Sequence, residues 1–365
     1  MISKKDYFCY IHIPFCTSKC KYCRFASTWN IDKLKVELYV KHLLKEIKTQ
    51  PLTPSIVRMG SFLKSIYFWG WTPSVLNLEQ LDLIIKTFKY KYWFDNDIEI
   101  TLEATPITVT KQNLDWWKKI WITRLSIGVQ SLNTKSLNEI WRWEKWDIIK
   151  ALDNILEVWF NNISIDFIIW LPHVKKWEAK KDIEYILNNY NFIKHISVYM
   201  LEEYYYPDNW EKLSINENTY LSEYIEIKNF LKLEWFNKYE VSNFAKPWFE
   251  CKHNKSYWDH SEMLAFGLWS HGYIDWIRFS NSENFINYYS NKWKIIEKLY
   301  KNDLFLEKLM FDLRTTWLDA EMLKKINKNK INYFINNWFL EKNHETINLT
   351  DKWVLVLDYI LKEIV

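Results

Sequence analysis

Three cysteines packed into one short stretch, Cys16, Cys20 and Cys23, have the spacing C-x3-C-x2-C. Thiolates this close in sequence can each hold a different iron of one [4Fe–4S] cluster, leaving the fourth iron open to a ligand. Zinc is the alternative metal, but structural zinc sites use four protein ligands, commonly in paired C-x2-C spacings, and no second pair follows. His12 could complete a zinc site, although an alternating strand residue ahead of a loop is more often structural. Cys9 and Cys251 read as small buried hydrophobes. Elsewhere stand Glu103, Gln130, Arg142, Asp166 and the run Cys251-Lys-His253-Asn254-Lys-Ser-Tyr257-Trp258. Taken singly, a strand-end carboxylate is a cap, a lone Arg a surface ion pair and a lone His a satisfied loop residue. Their chemistry depends on what brings them together.

The elements that would do so alternate along the first two thirds of the chain. Strands are expected at 8–13, 65–68, 98–103, 124–128, 163–169 and 196–200, each short, rich in β-branched or aromatic residues and bounded by turn residues. Ile98, Ile100 and Leu102 alternate with Glu99, Thr101 and Glu103, giving one apolar and one polar face with Glu103 at the strand's C-terminal end. Helical spacing fills the intervals at 34–47, 78–88, 114–120, 148–158, 183–190 and 220–233. Such alternation predicts a parallel sheet, open or curled into a partial barrel, with its site at the C-terminal ends of the strands. The cysteines, Gly70–Thr72, Glu103, Gln130 and Leu171–Pro172 all fall there. From about residue 301 the pattern changes to short helices (LEKLMFDLRTT, AEMLKKI, INYFINN), a small hairpin and a last helix at 350–363, like a winged-helix module. The basic run 324–330 reads as a solvated loop.

Composition narrows the classes. The chain has 365 residues, 26% charged and 48% hydrophobic, with 49 Lys+Arg against 45 Asp+Glu. This is ordinary for a globular protein and excludes whole-chain disorder. A formal net charge of +4 does not by itself argue for nucleic acid. There is no apolar run of ~18 residues and no signal-peptide pattern at the start. The expected setting is the cytoplasm, where thiols stay reduced and clustered cysteines serve metal or redox chemistry.

One count is abnormal: 5 Gly against 23 Trp, where average usage predicts about 26 Gly. Trp69, Trp71, Trp121, Trp170, Trp248, Trp269, Trp317, Trp338 and Trp353 occupy contexts that call for glycine, in turns, caps and places of close backbone approach. The expectation is that most are glycine, encoded by UGA and rendered as tryptophan by a different code table. Trp258 is the one tryptophan to keep.

Tyr10-Ile-His-Ile-Pro-Phe-Cys16-x3-Cys20-x-Tyr22-Cys23 resembles the opening motif of the radical S-adenosylmethionine (SAM) superfamily. The resemblance is to the branch that holds oxygen-independent coproporphyrinogen III oxidases and HemW-type heme chaperones. With glycine restored, 69–74 becomes Gly-Gly-Gly-Thr-Pro-Ser, similar to the segment that binds the methionine amine. Arg124-Leu-Ser-Ile-Gly-Val-Gln130-Ser, Asp166-Phe-Ile-Ile-Trp170-Leu-Pro (Trp170 read as glycine) and Arg142 match further blocks in order, over nearly the whole chain. The resemblance implies a radical-SAM partial (β/α)6 barrel over 1–235, a connecting region at 236–300 and a winged-helix-like module at 301–365. It also implies cluster ligation by Cys16, Cys20 and Cys23. SAM would lie beside Tyr10, with backbone groups of Gly70, Trp71 and Thr72 at its methionine end and Glu103, Gln130, Arg142 and Asp166 on its polar parts. Glu103-Ala-Thr105-Pro departs from the usual Glu-Ala-Asn-Pro, which bears on positioning.

Three features favour the chaperone side of that branch. The oxidases carry a further cysteine where this chain has Phe25, and they begin with an N-terminal extension. His253-Asn254-x2-Tyr257-Trp258 resembles the chaperones' HNxxYW motif. The resemblance therefore implies that His253 is the axial ligand of a heme, with Asn254, Tyr257 and Trp258 around the porphyrin. The heme would pass to apo-hemoproteins, such as membrane respiratory enzymes, from a homodimer. The alternatives are coproporphyrinogen decarboxylation and, from another class, nucleic-acid binding through the C-terminal module.

Overall fold

The computed structural model describes residues 6–16, 19–23, 32–50, 62–142, 144–201, 217–315, 328–337, 339–343 and 346–350. Six parallel strands lie side by side in chain order: β1 (Tyr7–Ile13), β2 (Leu63–Gly70), β3 (Phe94–Ala104), β4 (Arg124–Gln130), β5 (Ile163–Ile169) and β6 (Ile193–Met200). The links carry helices α1 (Lys33–Thr49), α2 (Leu78–Lys91), α3 (Lys111–Lys119), α4 (Thr134–Glu139), α5 (Lys145–Val158) and α6 (Glu178–Asn189), and α7 (Glu217–Leu233) follows β6. Every expected strand and helix of this part is present, most a few residues longer than the sequence pattern suggests. Helix starts are set locally. The Asp32 side chain accepts from the Leu34 N–H, and Asn77 and Gln80 form a reciprocal capping box.

Register sorts the residues onto two faces. Ile11, Phe68, Leu102, Leu125 and Ile165 are fully buried in the core against the helices. The opposite face is polar. Tyr10 pairs with Tyr67, Tyr67 with Thr101, Thr101 with Arg124, Glu103 with Ser126, Gly128 with Asp166 and Ser164 with His195. A polar inner face over six adjacent strands makes a place for a ligand rather than a packed hydrocarbon core.

Residues 236–300 do more than connect. β7 (Asn237–Lys238) and β8 (Asn243–Ala245) extend the sheet antiparallel beyond β6. At the other edge β9 (Glu262–Phe266) pairs parallel to β1 and leads to β10 (His271–Ile274), β11 (Ile277–Asn281) and β12 (Trp293–Lys298), making a sheet of twelve strands. Between them α8 (Lys252–Trp258) lies against the polar face at β2 and β3, and the short α9 (Phe285–Tyr289) precedes β12. The C-terminal part shows α10 (Lys301–Thr315), α11 (Lys328–Asn336) and the expected hairpin, β13 (Leu340–Asn343) with β14 (Thr346–Leu349). The helices expected at 320–326 and 350–363 lie outside the described residues.

Backbone conformation bears on the tryptophan count. Among the described residues nine tryptophans have positive φ: Trp121, Trp141, Trp159, Trp170, Trp177, Trp235, Trp248, Trp269 and Trp276. Four of the nine named from sequence are here (121, 170, 248 and 269). Trp69 and Trp71 have ordinary φ, and Trp317, Trp338 and Trp353 lie outside the described residues. A left-handed conformation costs a residue with a Cβ roughly 1–2 kcal/mol. Nine such positions sum to the order of 10 kcal/mol, as much as the net stability of a typical protein, about 5–15 kcal/mol. Burial does not offset this, because six of the nine, including Trp248 at 94% and Trp235 at 77%, are exposed.

Candidate functional site

The three cysteines follow β1 at the mouth of the polar face. Cys16 and Cys20 are buried, Cys23 is half-buried, and none of the three is in a disulfide. The loop is fixed by backbone bonds: the N–H groups of Trp71 and Thr72 donate to the Ile13 and Phe15 carbonyls, at 3.1 Å each, and Cys23 N–H donates to Cys20 O at 3.0 Å. Thr72 Oγ1 lies 3.0 Å from Cys16 Sγ. The 70–72 segment is thus tied to the cysteine loop through its own donors. Gly70 is required there: φ is +123°, and a Cβ would sit 2.5 Å from the Ile13 carbonyl oxygen.

Arg142 reaches the same loop. Its backbone N–H donates to Leu137 O at 2.8 Å, closing α4. Burial works against its charge, but the facing Cys20, Tyr22, Cys16 and Cys23 raise the guanidinium pKa above its ordinary value. Its Nε is buried without a hydrogen-bond partner. The guanidinium passes over Gly128, where a Cβ would lie 2.5 Å from Nη2 and 2.8 Å from the Gln130 amide nitrogen. Gln130, itself at φ 66°, is buried beside it.

Two carboxylates lie deeper. Tyr67 Oη donates to Glu103 Oε1 at 3.3 Å, and Ser126 Oγ donates to Asp166 Oδ2 at 3.2 Å. Burial raises both pKa values; Asp166 pushes Glu103 further up, while Arg124 and Arg142 pull both down. Arg124 is only 2% exposed, with Nε and Nη1 lacking partners. It belongs to the 124–131 motif block, in which the resemblance implies a role only for Gln130. Strand alternation puts Arg124 on the polar face; its burial there is decided by the tertiary structure. Tyr10 Oη bonds His12 Nδ1 at 2.7 Å. The Trp69 ring stands 5.7 Å from both the Tyr10 and the Tyr67 rings, filling the space between them. Ten of the expected residues (Tyr10, Cys16, Cys20, Cys23, Gly70, Thr72, Glu103, Gln130, Arg142, Asp166), together with Trp71, line this mouth and the layer below it.

The residue set fits a cluster with a zwitterionic ligand. Three thiols sit on one loop. An orphaned guanidinium nitrogen faces them, and carboxylates and an amide line the next layer. Among the described residues no three His, Cys, Asp or Glu side chains converge on one ion position, whereas a cluster asks each thiolate to reach its own iron.

The HNxxYW segment lies elsewhere, at the opposite end of the polar face. Glu99 caps α8: Lys252 N–H donates to its Oε2 and His253 N–H to its Oε1, each at 3.1 Å, and the Cys251 thiol donates to Oε1 at 3.3 Å. His253 is 1% exposed. Its Nδ1 bonds Ser65 Oγ at 2.8 Å and its Nε2 bonds Tyr257 Oη at 3.2 Å. Burial, with Arg124 nearby, lowers its pKa to about 3. Both ring nitrogens are therefore engaged, and in this arrangement His253 offers no nitrogen to an iron. Asn254 donates to Tyr239 Oη at 3.3 Å, and Tyr239 bonds His195 at 2.7 Å. Trp258 turns toward α10. Its ring packs edge-on against Phe311 of α10 at 5.6 Å, and it lines a cavity of about 820 Å³ beside that helix. The expected heme set thus divides, with His253 and Asn254 inside the polar network, Trp258 at the cavity, and Tyr257 bonded to His253 while lining a neighbouring cavity of about 300 Å³.

Comparison with known proteins places this arrangement. Residues 10–186 match the family model described as the radical SAM superfamily. The heme chaperone HemW of Buchnera aphidicola subsp. Schizaphis graminum is 31% identical over 370 aligned residues, covering 97% of this chain and 96% of its own. That of Lactococcus lactis subsp. lactis is 28% identical, covering 94% and 93%. The structure described as coproporphyrinogen III oxidase (HemN) from Escherichia coli, a radical SAM enzyme, superposes with a TM-score of 0.83. It is 18% identical and covers 99% of this chain and 90% of that one; at that identity the likeness is one of fold.

Proposed function

Because the chain belongs to the HemW heme-chaperone family of the radical SAM superfamily, we propose that it binds heme and hands it to apo-hemoproteins, with a [4Fe–4S] cluster and SAM bound at the mouth of the barrel. The observation that carries the cofactor half is the three-thiol loop facing Arg142. The full-length likeness to heme chaperones supports the heme half.

Cys16, Cys20 and Cys23 would hold three irons, and the cluster supplies an open iron that an amino-acid end can chelate. The chain's own residues do the rest. The 70–72 segment fixes the loop height through its bonds to Ile13 and Phe15. Glu103 and Asp166 offer carboxylates to hydroxyl and amine groups, and Arg142 and Gln130 meet a carboxylate. Burial raises the pKa of both carboxyls, and a cationic ligand beside them would favour their ionised forms. In heme binding, Trp258 supplies flat apolar surface, and His253 reaches an iron only if α8 shifts away from Ser65. Among the described residues no helix is long and apolar enough to cross a membrane. A cytoplasmic place, membrane respiratory enzymes as recipients and a homodimer are the further parts of this reading.

The test is anaerobic reconstitution of the full chain, heme titration by absorption, and transfer to an apo-hemoprotein. Retained heme that moves to the acceptor is expected. Conversion of coproporphyrinogen III to protoporphyrinogen with SAM consumption, without heme retention, would replace this reading with the decarboxylase.

A further inference from the structure

We infer that the protein as its source makes it carries glycine at the nine tryptophan positions of positive φ. Local geometry makes the case residue by residue. Trp121, Trp141, Trp159 and Trp235 terminate α3, α4, α5 and α7. At three of them the paired bonds of a Schellman end are present. Trp121 N–H donates to Lys118 O and Ile122 N–H to Trp117 O; Trp141 N–H donates to Asn138 O and Arg142 N–H to Leu137 O; Trp235 N–H donates to Lys232 O and Phe236 N–H to Leu231 O. The left-handed residue of that motif is usually glycine. Asp275 and Trp276 (φ 48° and 65°) form the two-residue turn between β10 and β11. Both central residues at positive φ define a type I′ hairpin, whose preferred pair is Asp-Gly. Trp258, inside α8, has ordinary φ and packs on Phe311, so it is outside the set.

Peptide mass mapping of the protein purified from its own source tests this directly. Peptides spanning 121, 141, 159, 235 and 276 are expected with the mass of glycine, and the peptide spanning 258 with that of tryptophan. Tryptophan masses at the five positions overturn it. Independently, a chain built with glycine at all nine should unfold at higher denaturant than the tryptophan chain; equal midpoints would also count against it.

Discussion

Tyr67 joins the two ends of the polar face: its hydroxyl donates to Glu103 at 3.3 Å, and its ring lies 4.9 Å from that of His253. One side chain on β2 therefore touches both the proposed SAM layer and the α8 floor. Tyr67→Phe keeps the ring and deletes the bond that holds the Glu103 pKa down. SAM affinity should fall roughly 3–10-fold, the worth of one hydrogen bond, with the deficit shrinking as pH rises and Glu103 ionises. Calorimetric titration across pH would show no such trend if the tyrosine only packs.

Glu103 has a pKa raised first by burial and then by Asp166. An acid whose folded pKa exceeds its unfolded value destabilises the fold as pH rises from the unfolded value through the folded one. Glu103→Gln should therefore be more stable than the parent at neutral and alkaline pH. The gap should close in acid, and SAM binding should be lost. Denaturant midpoints at several pH values give the check.

For His253 the sign is opposite. Its folded pKa of about 3, set by burial and Arg124, lies below the ordinary 6.5. Stability is lost as pH falls from the unfolded value toward the folded one, because the unfolded chain gains a proton there that the folded chain refuses. His253→Gln should flatten the stability curve over that acid window. An unchanged slope would place the acid sensitivity on His195, which burial also holds low.

Glu99 holds the start of α8 through three donors. Glu99→Ala should cost about 1–2 kcal/mol, the range of a lost helix cap, and speed amide exchange in 252–258 ahead of the sheet. Uniform exchange across the protein would argue against a local cap.

Each of Cys16→Ser, Cys20→Ser and Cys23→Ser should abolish cluster iron and its visible absorption after anaerobic reconstitution. Cys9→Ser should keep both, since Cys9 is wholly buried in the apolar core. Iron analysis with circular dichroism separates loss of ligand from loss of fold.

What the sequence determined by itself is everything that depends on near neighbours along the chain. Strand and helix periodicity placed the six β/α units within a few residues. C-x3-C-x2-C needed no partner to be recognised as a metal loop, and glycine-type contexts exposed the tryptophan anomaly. Tertiary structure decided what depends on crossing distances. It buried Arg124 and paired Glu103 with Tyr67. It turned Glu99, on the polar face of its strand, into a buried helix cap. It added five described tryptophans, Trp141, Trp159, Trp177, Trp235 and Trp276, to the positive-φ set, because φ is set by the turn and not by composition. Above all it separated His253 from Trp258: on a short helix held against a sheet, residues five apart point to different sides, one into a sealed polar network and the other into an open cavity.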